Sequence, residues 1–121
     1  MQTLIIIWEP NAQWYALSES EKNEYLLSLD DAVNGARSQG VMTLGWSKID
    51  RTLSKSPKEG YVGIFAMSDA EQIHILDENI QQSKWYDYFD SVNVSISPQG
   101  GTNPLPSEEY AKILNMKIDR E

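Results

Sequence analysis

Cysteine is absent from the chain, which excludes disulfides, thiolate nucleophiles, cysteine-ligated zinc and iron–sulfur clusters. Histidine occurs once, at His74. Within one chain this rules out a facial-triad iron site with two histidines and a catalytic zinc site with three, so no metal site is expected. Basic residues are few: 10 Lys and Arg stand against 18 Asp and Glu, a formal charge of -8. Phosphate recognition depends on clustered cations, so no nucleic-acid partner is expected. Lys48, Arg51, Lys55 and Lys58 do gather, but in a stretch that reads as a solvated connection. Long apolar runs are missing too. The longest, Leu4 to Trp8, falls far short of the roughly 20 residues that span a bilayer, and no membrane association is expected. Met1 and Gln2 lead into that run without a basic segment or a small-residue cleavage site, so no secretory signal is read and the cytoplasm is the expected compartment. Glycine-rich phosphate loops, nucleophile elbows, metalloprotease helices and calcium loops do not occur, which disfavours covalent nucleophilic catalysis.

What the chain has is aromatic surface and clear periodicity. The length of 121 residues suits one core. Leu4 to Trp8 is apolar on both faces, as in a central strand. Ser18 with Glu21 has capping-box spacing, and Leu26, Leu29, Val33 and Ala36 recur at helical spacing to about Ser38, with Gly40 placed to end the helix in a left-handed turn. From Val41 to Ile49 the pattern alternates, placing Met42, Leu44 and Trp46 on one face and Thr43, Gly45 and Ser47 on the other. A polar connection, 50–60, precedes a third strand from Tyr61 to Met67. Ser68 with Glu71 then predicts a second capped helix, with Ile73, Leu76 and Ile80 as its apolar stripe.

Between Lys84 and Ser97 the spacing switches from helix to strand. Trp85, Tyr88, Phe89 and Val92 fall on one helical face; thereafter Val92, Val94 and Ile96 point one way and Asn93, Ser95 and Ser97 the other. The order β-α-β-β-α-β is the split βαβ, ferredoxin-like arrangement of the α+β class, with both helices on one sheet face. The other face would be a large exposed apolar surface, which a homodimer formed sheet to sheet would cover. The domain is expected to span residues 1–97. Residues 98–121 then form a Pro/Gly linker and a short C-terminal helical tail.

The Leu4–Trp8 strand, Gly40, Val41, Gly45 and Trp46, the Tyr61–Met67 strand and the Trp85–Asn93 turn together resemble an uncharacterised small bacterial family of the dimeric α+β barrel superfamily. That resemblance implies a homodimer. It also implies an activity from a wide set: cofactor-independent oxygenases, lactone isomerases, haem-degrading enzymes, cyclases and proteins without a reaction. Haem-degrading relatives use an asparagine on the first strand, for which Thr3 to Trp8 offers no counterpart, and no cofactor is expected.

Two residues are candidates for chemistry. His74 is the only side chain with an ordinary pKa near neutrality, suited to general-base work. Asn93 lies on the polar face of its strand, where its amide can hold a carbonyl or enolate oxygen. Trp8, Trp46, Trp85, Tyr86 and Tyr88 would line a pocket for a small aromatic or apolar ligand, with Trp14 as further supply. The expected function is a cofactor-free oxygenase, isomerase or cyclase on a small aromatic or conjugated substrate. The alternative is a non-catalytic ligand-binding or accessory homodimer, for which His74 would lie outside an all-aromatic pocket.

Overall fold

The computed structural model describes residues 2–57 and 60–97. Strand β1 (Gln2–Pro10) is followed by the single-turn helix α1 (Ala12–Tyr15), the long helix α2 (Glu19–Ser38), strands β2 (Met42–Lys48) and β3 (Tyr61–Met67), helix α3 (Ala70–Gln82), a second single turn α4 (Trp85–Tyr88) and strand β4 (Phe89–Ile96). The class is α+β. The strands form one antiparallel sheet in the order β2-β3-β1-β4, so the isoleucine-rich β1 is central, as its two-sided apolarity predicts. The expected linker and terminal helix, 98–121, lie outside the described residues.

Register separates the two faces. Leu4, Ile6 and Trp8 stand opposite Phe65, Gly63 and Tyr61 on β3, and opposite Ser95, Asn93 and Ser91 on β4. This side carries the core: Leu4, Ile6, Val41, Phe65 and Met67 are buried together, with Ala36 of α2 and Ile73, Leu76 and Ile80 of α3 packed against them. Both long helices therefore cover the same face. The opposite face presents Ile5, Ile7, Val62, Ile64, Met42, Val92, Val94 and Ile96; Met42 and Val92 are more than half exposed.

Local chemistry sets the helix ends. Ser18 accepts from the Glu21 N–H while the Glu21 carboxylate accepts from the Ser18 N–H, the capping box expected for α2. At the other end Gly40 is left-handed (φ 97°), and the Val41 N–H reaches back to Ala36 O at 3.1 Å. The second box is displaced by one residue from the expected Ser68/Glu71 pair: Asp69 caps α3 and Gln72 returns the bond. Ser68 instead donates its N–H and hydroxyl to the Gln72 carboxamide oxygen, which also accepts from the Asp69 N–H. Strand β2 also departs from plain alternation. A bulge between Thr43 and Gly45 puts Met42 opposite Ala66 on the open face but Trp46 opposite Gly63 on the helix face. The expected grouping of Met42 with Trp46 is therefore corrected: one extra residue reverses the alternation.

Candidate functional site

Helix α2 has 20 residues and buries none of them. Its apolar stripe nevertheless points at the sheet, and the space between is a partly open cavity of about 790 Å³. The sequence explains the gap: Ala32, Val33 and Ala36 are short where the helix crosses the core face, too short to fill the distance to Ile6 and Phe65. Leu76 and Ile80 of α3 close one side. The volume is in the range of pockets that enclose a small organic ligand, and the lining is predominantly apolar.

A continuous row of rings from the sheet and the two single-turn helices walls this cavity. Phe65 meets the Trp46 ring edge-on (4.9 Å between centroids) and Trp46 meets Trp8 (5.0 Å). Trp8 contacts Trp85 (5.4 Å), Trp85 stacks on Phe89 (4.1 Å), and Phe89 lies beside Trp14 (5.0 Å). Tyr61 stacks on Trp8, while Tyr25 and Tyr88 complete the cluster around Trp14. Such offset and edge-on pairs are favoured by the ring quadrupoles and hold one another in place.

Asn11 fixes the end of this row. Its side-chain oxygen accepts from the N–H groups of Gln13 and Trp14, which starts α1, while its own N–H and amide donate to Tyr88 O and Asp87 O, both at 3.0 Å. One asparagine thus clamps the two single-turn helices that carry Trp14 and Trp85. The asparagine after Pro10 was the available signal, being a preferred N-cap, but a four-residue helix leaves no periodicity to see. At the other end of α4, Lys84 takes a left-handed conformation (φ 65°) just after Ser83, the C-cap of α3, turning the chain so that Trp85 comes back over the sheet.

Of the residues singled out in the sequence, Trp8, Trp46 and Trp85 line the cavity, as does Trp14. Tyr88 belongs to the ring cluster behind Trp14 without lining it, and Tyr86 is exposed. Asn93 is on the helix-facing side of β4, opposite Ile6. It accepts from the Ser91 hydroxyl (2.8 Å) and donates to the Tyr86 hydroxyl (2.5 Å), forming a small polar chain outside the cavity lining. His74 is exposed on α3 and is not among the lining residues. His74 and Asn93 thus do not converge on the cavity. The charged lining comes from Asp30 and Arg37 of α2, and Thr43, Asn79 and Ser83 add neutral polar groups.

Two buried polar atoms beside the rings have no hydrogen-bond partner among the described residues, the Tyr25 hydroxyl and Trp85 Nε1. Burial pushes the Tyr25 phenol up to about 12, with smaller upward contributions from Tyr88 and Asp87. Ser83 lies close enough to oppose this shift, but its hydroxyl donates to Ile80 O and accepts from Trp85 N, and it makes no bond to the phenol. Tyr25 is therefore neutral at physiological pH. Among the described residues there is no group of three metal-ligating side chains, and no helix is long and apolar enough to cross a membrane.

These features define a small α+β protein with one sheet face covered by helices and an apolar, ring-lined cavity between the two layers. The chain belongs to the family described as "Family of unknown function (DUF6616)", whose model matches residues 1–105. The fold is similar to that of At3g17210 from Arabidopsis thaliana, known from a crystal structure. The TM-score is 0.59 at 8% sequence identity, over 85% of this chain and 100% of the plant protein's. A search of curated proteins gives no match.

Proposed function

We propose that this chain binds a small, largely apolar, ring-containing molecule in the cavity between α2 and the sheet, as a ligand-binding protein rather than a catalyst. The observation that carries this reading is the cavity itself: about 790 Å³, walled by a continuous row of indole and phenyl rings, with its polar groups few and dispersed. A cofactor-free oxygenase, isomerase or cyclase needs a proton acceptor beside the substrate. His74 lies elsewhere, and the neutral Tyr25 phenol is a poor base. An enzymatic reading would have to rest on Asp30, the carboxylate among the lining residues.

The subunit is proposed to be of the ferredoxin-like, dimeric α+β barrel type, with residues 1–97 as the domain. The strand order and the position of both long helices on one face support this. So does the open apolar face of Ile5, Ile7, Val62, Ile64, Val92 and Val94, which a second copy would cover.

The test is calorimetric titration with 2-naphthol, with tryptophan emission recorded in parallel. Saturable uptake at one site per chain is expected, unaltered in His74→Ala and Asn93→Ala. Val33→Trp, which extends an indole from α2 into the cavity, should abolish uptake without lowering the melting temperature. Absence of saturable uptake by the wild type would overturn the reading. Undiminished uptake by a folded Val33→Trp would move the site away from this cavity, and a selective loss in Asn93→Ala would move it to the Tyr86–Asn93–Ser91 chain.

A further inference from the structure

The bulge in β2 has a counterpart on the neighbouring strand. Had β2 continued without its extra residue, Trp46 would have fallen opposite Val62 and faced away from the helices. Displaced by one position, it falls opposite Gly63. A Cβ at position 63 would lie 2.7 Å from both Cε3 and Cζ3 of the Trp46 ring and 3.2 Å from Cη2, so the ring occupies the space that any side chain would take. Gly63 is not among the glycines with positive φ; its backbone could be that of another residue, and what the glycine supplies is room. Trp46 then sets its ring against Trp8 and Phe65, lines the cavity, and still keeps 47% of its surface exposed. Bulges beside binding sites commonly re-aim one side chain, and here the re-aimed side chain offers bare ring surface to an apolar cavity.

We infer that Trp46 is the residue that selects planar ring systems over flexible aliphatic ligands, and that Gly63 and the bulge act together as its positioning device. The inference rests on the cavity being the binding site. Stacking on the exposed part of the indole rewards a flat ligand specifically, because an offset ring pair gains beyond its buried area whereas an alkyl chain gains by area alone. Leucine at position 46 would keep the position apolar and remove the stacking partner. Alanine at position 63 would force the ring off β3 into the space the ligand needs.

The experiment compares 2-naphthol with 1-decanol by calorimetric titration, in the wild type, Trp46→Leu, Gly63→Ala and the double variant, with thermal unfolding of each. In Trp46→Leu the affinity for 2-naphthol should fall about five- to tenfold, the size of a lost ring pair, while that for 1-decanol stays within about twofold, so the selectivity ratio collapses. Gly63→Ala should lower the melting temperature of the wild type and weaken 2-naphthol. In the Trp46→Leu background the same change should cost little stability and leave both affinities as in Trp46→Leu, because the smaller side chain vacates the space beside the new Cβ. If Gly63→Ala alone does not fold, the comparison of Trp46→Leu with the double variant still decides. A ratio unchanged in Trp46→Leu, or an equal penalty for Gly63→Ala in both backgrounds, would overturn this inference and leave the binding reading standing. Failure of the wild type to take up either probe would overturn both.

Discussion

The Tyr25 phenol shows what an unpartnered group does to a fold. Its oxygen is buried and unbonded, and the neighbouring Ser83 hydroxyl is engaged with Ile80 and Trp85. Removing an unsatisfied polar atom while keeping the ring relieves a desolvation cost without losing a bond. Tyr25→Phe is therefore expected to match or exceed the wild type in thermal stability, read by calorimetry. The pH dependence has a definite sign. The native value is raised from 10.0 to about 12, so the native state favours the neutral phenol. The associated stability is present in full below about pH 10 and lost as pH rises towards about 12. Denaturant unfolding across that window should show a fall in the wild type that is shallower in Tyr25→Phe; equal slopes in both would show that the phenol is not desolvated. Asn11 is the opposite case, a residue whose every polar atom is used, and its loss should loosen both Trp14 and Trp85.

Helix α2 depends on its ends because no residue along its length is fully buried. Hydrogen bonds from the Ser18 backbone and then its hydroxyl hold the Glu21 carboxyl below its ordinary 4.5. A depressed carboxyl stabilises the fold above its unfolded value and loses that contribution as pH falls through the lower, folded one. Glu21→Ala should accordingly melt below the wild type at neutral pH, and the gap should close as pH drops beneath about 4.5. A gap that persists in acid would assign the effect to helix propensity instead of the cap. The legibility of the elements follows the range of the forces that set them. Ser18 with Glu21 and Gly40 with Val41 act within a few residues, and the chain announces both. At the start of α3 the box falls on Asp69 and Gln72, and Gln72 also donates to Gln39 O, a contact across 33 residues that spacing cannot reveal. The bulge at Thr43 is a property of the pairing between β2 and β3, so strict alternation wrongly groups Trp46 with Met42. The shared face of Val92, Val94 and Ile96, opposite to that of Asn93 and Ser95, is set by strand period alone and stands as the spacing predicts. For the candidate site, the tryptophans were legible as a set because rings in such number must pack together. A ring-lined pocket is an expectation of the sequence, but its extent beneath α2 and its lining by Ala32, Val33 and Ala36 are not, because only the assembled layers define that distance.

At the scale of the whole molecule, the sheet has one face under helices and one face of branched aliphatic side chains. Soluble monomers rarely expose apolar patches beyond a few hundred Å², and a self-complementary sheet face suits a two-fold pairing. Sedimentation equilibrium should give roughly twice the 13.8 kDa chain mass, and Val94→Glu, which introduces charge at the middle of that face, should shift the population to monomer. A stable, fully folded wild-type monomer at micromolar concentration would refute the pairing. The cavity lies on the other side of the sheet, so Val94→Glu should change mass without abolishing ligand uptake. The row of rings has one more consequence. Trp46, Trp8 and Trp85 follow one another at centroid distances of 5.0 and 5.4 Å, and Trp14 is separated from Trp85 only by Phe89. At such spacings excitation passes between indoles faster than it is emitted, so the protein's four tryptophans act as a single antenna. Whatever settles against one of them will dim or shift the light of all.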